Sequence, residues 1–548
     1  MRRLSVTILM ALLASCDDAP PTGPTLLVPA MASATGSVWS ARALMPQFKW
    51  AAISGAASYQ IQIDDSCTSP AACAFPSPEI DTRVSSTAYV PSTPLPVSMA
   101  PPVGRRYFWR VRSCPSDSCG PWSSTRYVDV GRQRQDWNGD GYADLVISAL
   151  GQTPDTPAAF VYLGTQDLSL VPYMTIVGND PTQEANGSAV SWIGDMDGDG
   201  FAELAVSSWR PPTAGLVGYP TIRVYRGGAT PAQAPAAVID DMTPEDLFNV
   251  RAAGDFNGDG FLDLYFAAGV DVPAHRLLLG GASLGADMSH QLSSGSAGST
   301  RVVGACDMNA DGFSDLVAWR LEDDGTQYFL GPAGASSSKP PMGSAGAASA
   351  IGACAANPFG TGVPALAVWS ALNSDPSPMG TLAFTSNPLG VPSDGAAACA
   401  GDLPAPAGGV PSQLAFAPAT TDVDGDGYDD LLVGEPAAGF NRAVLYFGGC
   451  PAQRLIELPG STDIQTGGSF GGEAHPDAGY AVSIAGDLDG DGYPEIVVGN
   501  PYATPDSFGA GEVYVYKGSA TIDATPTLVL RRPSSSSQAA DGFGAALD

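Results

Sequence analysis

Asp136-Trp137-Asn138-Gly139-Asp140-Gly141-Tyr142-Ala143-Asp144-Leu145 is a short acidic turn that runs into an apolar stretch, and it recurs five more times along the chain. The later copies are Asp195–Leu204, Asp255–Leu264, Asp307–Leu316, Asp422–Leu431 and Asp487–Ile496. Each places oxygen-bearing side chains at loop positions 1, 3, 5 and 9 and a glycine at position 6. Alternate residues of a tight turn can point inward, the glycine permits the bend, and position 7 offers its carbonyl. Five or more hard oxygens then converge on a point suited to Ca²⁺. Oxygen-only donors without histidine argue against zinc or copper.

The candidate metal ligands follow from that register. They are Asp136, Asn138, Asp140, Tyr142 and Asp144 in the first loop, and Asp195, Asp197, Asp199, Phe201 and Glu203 in the second. The third contributes Asp255, Asn257, Asp259, Phe261 and Asp263, and the fourth Asp307, Asn309, Asp311, Phe313 and Asp315. Asp422, Asp424, Asp426, Tyr428 and Asp430 form the next set, and Asp487, Asp489, Asp491, Tyr493 and Glu495 the last. The aromatic residues are counted for their carbonyls, and about six structural Ca²⁺ sites are expected. The first nine positions look like an EF-hand, but the glutamate at position 12 is absent and the run continues as Leu145-Val146-Ile147-Ser148. Each loop therefore enters a strand. A seventh copy, from Cys354 to Gly360 with its start aligned at Ala355, keeps the flanking strands but lacks the acids, and no ion is expected there.

Second strands follow each loop, among them Phe160-Val161-Tyr162-Leu163, Ile222-Arg223-Val224-Tyr225 and Val513-Tyr514-Val515-Tyr516. Third strands include Leu455–Leu458 and Leu528–Leu530, and Gly479–Gly486 is an inner strand ahead of its loop. Four strands in a unit repeated at 136, 195, 255, 307, 355, 422 and 487 describe propeller blades. The first loop has no inner strand ahead of it, whereas the chain finishes with one, 542–548, that has no loop after it. That strand is expected to complete the first blade and close the ring, removing two open edges.

With these loops and strands the chain resembles the FG-GAP repeat family, whose repeats build the seven-bladed propeller of integrin α subunits. The resemblance covers residues 136–548. It implies Asp-x-Asp-x-Asp-Gly-x-x-Asp loops between the first and second strands of a blade, holding calcium in a mainly structural role. Residues 203 and 495 are Glu where the family pattern has Asp.

Residues 37–131 carry period-two alternation in Tyr59–Asp64, Tyr107–Arg112 and Trp122–Val130, an antiparallel β pattern. The order of Trp50, Tyr59, Tyr107, Trp109 and Trp122 resembles the fibronectin type III sandwich, which implies Trp50 and Tyr107 as core aromatics. The fold class is thus all-β: a small fibronectin type III-like sandwich followed, over 132–548, by a seven-bladed β-propeller with Ca-binding loops.

The amino-terminal end reads as an address. Arg2 and Arg3 precede an apolar run from Leu4 to Ala14, the length of a signal-peptide core and too short to span a bilayer. Leu13-Ala14-Ser15-Cys16 resembles the bacterial lipobox. It implies a signal peptide over 1–15, a lipid on Cys16, and an exported lipoprotein held at the cell envelope or surface. Residues 16–36, rich in Pro, Thr, Ser and Ala, read as a flexible tether. Nine cysteines less Cys16 leave an even number, as suits an oxidising compartment. Cys67/Cys73 and Cys114/Cys119 are candidate local pairs, Cys306 and Cys354 stand in matching contexts, and Cys399 and Cys450 lie apart.

Formal charge is −31, from 25 basic and 56 acidic residues, and only Lys49, Lys339 and Lys517 are lysines. A nucleic-acid partner is excluded, because phosphate contacts need clustered cations. The loop ligand positions hold 21 of the 56 acids, well over a third. A hydrophobic fraction of 44% is ample for a core, so this charge does not mean disorder. The function read from these features is a calcium-binding surface module that binds or adheres to a protein or glycan. Trp209–Pro212, Glu473–Asp477 and Asn500–Ala503 are candidate contact loops. The alternatives are an extracellular polysaccharide-acting enzyme on the same scaffold and a scaffold with no ligand of its own. The enzyme is disfavoured because nearly every clustered carboxylate is assigned to calcium and no catalytic motif occurs.

Overall fold

The computed structural model describes residues 23–29, 31–149, 157–177, 185–210, 219–239, 247–268, 274–284, 289–291, 300–309, 311–320, 326–331, 335–339, 349–355, 357–359, 364–371, 380–386, 401–402, 419–435, 442–449, 454–459, 481–501, 503, 511–533 and 543–548. Residues 1–15, Cys16, Cys399, Cys450 and Glu473–Asp477 lie outside them. Among the described residues every regular element longer than a turn is a strand. None forms a helix long and apolar enough to cross a membrane.

Two sheets form an amino-terminal sandwich. Leu26–Val28, Phe48–Trp50 and Ala88–Tyr89 make the smaller. Ser33–Ala34, Arg126–Val130, Arg105–Cys114, Ser58–Asp64 and Ile80–Val84 make the larger, in that order. Alternation puts Tyr59, Ile61 and Ile63 inward against Trp50, Tyr107 and Trp109, all within one buried cluster. Disulfides Cys67–Cys73 and Cys114–Cys119 each close a local loop. Cys306 is disulfide-bonded as well.

The sandwich begins earlier than its sequence implies. The stretch 16–36, read above as a tether, contains two of its strands, and Leu26, Leu27, Met31 and Ala32 are buried. The chain there is too short between prolines to show a period, yet burying four apolar side chains offsets the cost of ordering it.

Among the described residues seven four-stranded antiparallel sheets follow, numbered here one to seven. Sheets two to seven are each contiguous in sequence and start at Ala185–Gly194, Leu247–Gly254, Thr300–Cys306, Ser349–Ala355, Ala419–Thr421 and Val482–Ile484. Sheet one is assembled from both ends. Phe543–Leu547 pairs antiparallel with Leu145–Ala149, which is followed outward by Pro157–Tyr162 and Pro172–Val177. Val146 and Asp548 exchange backbone hydrogen bonds of 2.9 and 3.2 Å. Asp548 also fastens sheet two, its side chain accepting the Trp192 backbone N–H at 3.0 Å and its carbonyl the indole N–H at 3.1 Å.

Each inner strand packs beside the next, from sheet two through sheet seven and on to Phe543–Leu547, which lies beside sheet two. The sheets therefore succeed one another around a closed, propeller-like ring. Because each sheet is covered on both faces by its neighbours, its middle strands are buried throughout, as in Leu145–Ala149, Ile496–Asn500 and Glu512–Tyr516. That is why these segments read as near-continuous apolar runs. Asn500, Pro501 and Ala503 are buried too, which corrects their reading as contact residues, while Tyr502 lies outside the described residues.

At the seam between sheets one and seven, Phe543 is fully buried and meets Phe160 edge-on at 5.7 Å, within a cluster that includes Val513 and Val515. Phe543→Ala should cost about 3–5 kcal/mol, the usual range for emptying such a site. Deleting 543–548 should lower the denaturation midpoint further and convert monomer to aggregate on size-exclusion chromatography, because two strand edges open. A truncated protein of unchanged midpoint and elution would disprove closure by this strand.

Candidate metal centres

The six acidic loops share one hydrogen-bond plan. Position 1 turns an oxygen to the N–H of the position 6 glycine, at 2.8 Å for Asp136 and Asp487, 2.9 Å for Asp422, and 3.0 Å for Asp255 and Asp307. Position 3 accepts the position 5 N–H at 2.9–3.2 Å, and position 5 accepts the position 7 N–H at 2.9–3.0 Å. These bonds curl each loop so that its acids share one centre. Oxygens of Asp195, Asp197 and Asp199 lie within 4.8 Å of one another, as do those of Asp422, Asp424 and Asp430, and of Asp487, Asp489 and Glu495.

Position 9 does more than the spacing implies. One oxygen of Asp144, Glu203, Asp263, Asp315, Asp430 and Glu495 accepts the position 2 N–H at 2.6–2.9 Å. In five of them the other oxygen accepts a glycine N–H after the next strand, from Gly164, Gly227, Gly280, Gly331 or Gly448. The carboxylate thus ties its loop to the hairpin behind it. In Glu495 that second oxygen is buried without a hydrogen-bond partner, and so is Asp307 Oδ1. Such orphaned acceptors are costly unless a cation takes their lone pairs.

Neighbouring loops are stitched together. The position 8 N–H donates to the position 1 carbonyl of the loop before: Ala202 to Asp136, Leu262 to Asp195, Ser314 to Asp255, and Ala143 to Asp487 across the seam, at 2.9–3.2 Å. The position 7 aromatic packs on the preceding loop, where a Cβ at Gly139, whose φ is 71°, would come 2.4 Å from the Phe201 ring. The same belt passes through the loop that lacks acids, where Asp429 N–H donates to the Asn357 carbonyl at 3.2 Å. Asn357, not Ala355, therefore stands at position 1 there, two residues later than the sequence alignment put it. The Asp429 carboxylate accepts the Asn357 N–H at 2.7 Å, so a side chain of the next loop fastens this one.

The sandwich sits on this loop face. Arg126 bonds Asp307 at 2.7 Å with both side chains buried, and Tyr127 donates its hydroxyl to Asp255 at 3.0 Å. Arg42 pairs with Asp422, Arg106 and Arg132 approach Asp195 at 3.9 Å, and Ser37 donates to the Gly141 carbonyl at 2.7 Å. Gln133 clips the seam, accepting Asp487 N–H at 2.7 Å and donating to the Asp487 carbonyl at 2.9 Å. Phe108 and Tyr127 join Ile193, Met196 and Leu262 in one buried cluster. None of these contacts is visible in the loop motif, because their partners lie up to hundreds of residues away. A further acidic group in the sandwich, Asp64, Asp65 and Glu79, was likewise not found from the sequence. Asp64 is occupied by Ser66 and Ser77, and Asp65 by Arg105.

Electrostatics test whether the residues fit a cation. Burial, assisted by the neighbouring acids, raises Asp195 and Asp255 to about 6, Asp136, Asp263 and Asp487 to about 7, and Asp315 and Asp430 to about 8. Asp144, Glu203 and Glu495 are pushed well above the carboxylate range for the same reason. Carboxyls crowded so closely resist ionisation until positive charge enters. All-oxygen donors, the curl of the loops and the two orphaned oxygens fit a hard divalent ion.

Residues 415–449 and 478–516 match the FG-GAP repeat, and residues 136–206 match the FG-GAP-like repeat. Integrin alpha-PS2 of Drosophila melanogaster is 37% identical over 112 residues, 18% of this chain and 7% of that protein. Integrin alpha-V of Gallus gallus is 34% identical over 125 residues, 21% and 11% of the two chains, and human integrin alpha-IIb is 36% identical over 119, likewise 21% and 11%. The chain thus spans about a tenth of the length of the curated relatives it matches. A solved structure titled a putative 6-phosphogluconolactonase, from Bacteroides uniformis, overlays 74% of this chain and 98% of its own at a TM-score of 0.41 and 10% identity, too distant to bear on function. Parts of the chain are thus similar to FG-GAP repeats and to stretches of integrin α chains, and the fold is all-β and propeller-like.

Between about pH 4, where unfolded carboxyls titrate, and about pH 7–8, the metal-free folded protein holds more protons than the unfolded chain. Stability in chelator should therefore fall as pH rises through that window. Calcium needs the ionised form, so the gain in melting temperature on adding it should grow from pH 5 to pH 8. A gain independent of pH would show that these carboxyls are not the ligands.

Proposed function

We propose that this chain is a calcium-binding, seven-bladed propeller that acts as a binding or adhesion module at the cell surface. The six acidic loops, at Asp136, Asp195, Asp255, Asp307, Asp422 and Asp487, hold one ion each, and the loop at Asn357 holds none. The amino-terminal, fibronectin type III-like sandwich caps the loop face, so the opposite face receives a protein or glycan. A lipid on Cys16 retains the protein at the envelope.

The observation that carries this reading is the repetition of one hydrogen-bond plan in six acidic loops whose carboxyls burial and mutual repulsion keep from ionising unaided. The FG-GAP repeats support it, since the relatives that share them are integrin α chains. Calcium here is structural. At an extracellular affinity near 10⁻⁴ M and about millimolar calcium, each site adds on the order of 1 kcal/mol to stability. The sandwich contacts support the choice of face, because Arg126, Tyr127, Arg42 and Gln133 already occupy the loop side.

Equilibrium dialysis of the purified protein against several millimolar calcium should show about six ions bound per chain, with a large fall in melting temperature in chelator. Screening protein and glycan arrays should then give capture without turnover, lost when chelator unfolds the ring. Release of product from a polysaccharide would replace the binding reading with an enzymatic one, and an ion count near zero would end the calcium reading. Cys16→Ala should move the protein from the membrane fraction to the soluble one.

A further inference from the structure

The six loops fall into two kinds. Three carry asparagine at position 3, namely Asn138, Asn257 and Asn309, and three carry aspartate, namely Asp197, Asp424 and Asp489. The structure attaches a basic residue to each aspartate of the second kind. Arg226 pairs with Asp197, Arg454 with Asp424 at 2.8 Å, and Lys517 with Asp489 and, at 3.0 Å, with the position 5 carboxylate of Asp491. The position 3 acids of these pairs are 1–4% exposed at the side chain and Asp491 is 31% exposed, whereas the cations are 42–58% exposed. Each base reaches in from the rim of its own sheet.

In the loops of the first kind the corresponding place is apolar. Arg226 and Lys517 stand immediately before the glycine that ends the second hairpin strand, and there the asparagine loops have Leu163, Leu279 and Leu330. In sheet six that place is Phe447, and Arg454 reaches the loop by lying over the Phe447 ring at 3.6 Å. The asparagine amide does the base's work, donating to the position 5 carboxylate at 2.8 Å in Asn138 and 2.9 Å in Asn257 and Asn309. Counted over positions 1, 3, 5 and 9 and the base that answers position 3, every loop thus presents the same net charge: four carboxylates less one cation, or three carboxylates.

We propose that position 3 and the hairpin behind the loop are matched so that all six sites carry one charge: a base answers each aspartate, placed just before the hairpin glycine in Arg226 and Lys517 and beyond it in Arg454, and these three are positioning residues for the metal sites. This rests on the calcium reading above and deepens it: the sites take the same class of ion, a divalent one, with similar affinity. Asp–base and Asn–Leu are two solutions to one electrostatic requirement. The cations that the sandwich brings act at position 1, on a different carboxylate, and stand outside the pairing.

The test is a double-mutant cycle on the full chain, followed by calorimetric calcium titration and by melting in chelator. Arg226→Leu leaves four carboxylates uncompensated, which should tighten one of the six sites about tenfold and lower the metal-free melting temperature. Asp197→Asn alone keeps the cation and should weaken that site about tenfold. The double variant copies the Asn–Leu loops and should bind six ions within about twofold of the unmodified protein. The same cycle with Lys517→Leu and Asp489→Asn guards against a folding defect peculiar to sheet two. A double variant that binds one ion fewer, or an Arg226→Leu protein with unchanged calcium affinity, overturns the pairing. If the unmodified protein itself takes up no calcium, the underlying reading fails instead, and that control tells the two failures apart.

Discussion

The organising constraint in this molecule is repulsion among carboxylates that the backbone will not let separate. Each acidic loop is curled by hydrogen bonds from its own N–H groups onto positions 1, 3, 5 and 9, which brings its acids together. Every other feature of the face answers that repulsion. Bases from the sheet rim at position 3, asparagine amides at position 5 and arginines from the sandwich at position 1 bring donors or positive charge to these carboxyls. The loops pay for their geometry in electrostatic energy and recover it from whatever cation settles there.

That constraint also organises the ring. Because a loop gives its position 1 carbonyl to the next loop and receives that loop's position 7 aromatic on its glycine, the conformation of one site is part of the packing of its neighbour. The acid-free loop would interrupt the belt, and there Asp429 reaches back to Asn357 in place of a local carboxylate. Stability and site geometry are thus hard to separate: an empty or distorted loop loosens the interface on both of its sides.

Much of this was legible in the chain. The sixfold loop register, the strand that enters after each loop, and the complementary ends at Asp136 and 542–548 are local patterns with a fixed period, and periodicity survives in a single sequence. Residues close in sequence, such as Cys67 and Cys73, could be paired by proximity alone. What could not be read has one physical cause, the absence of sequence locality. Arg126 meets Asp307, and Gln133 meets Asp487, only because the ring closes and the sandwich lands on it. The strands within 24–36 escaped because two short segments between prolines carry no alternation. The register of Asn357 escaped because position 1 is defined there by a hydrogen bond and no longer by an acid.

The landing of the sandwich has a mechanical corollary. A pull on the amino-terminal end of the molecule would reach the ring through several loops in parallel, by way of Arg42, Arg126, Tyr127 and Gln133, and not as a peeling force on the single strand that completes sheet one. Shear across many short ties resists rupture far better than unzipping of one edge. Because Gln133 is one of those ties, part of such a load would fall on the seam beside Asp487.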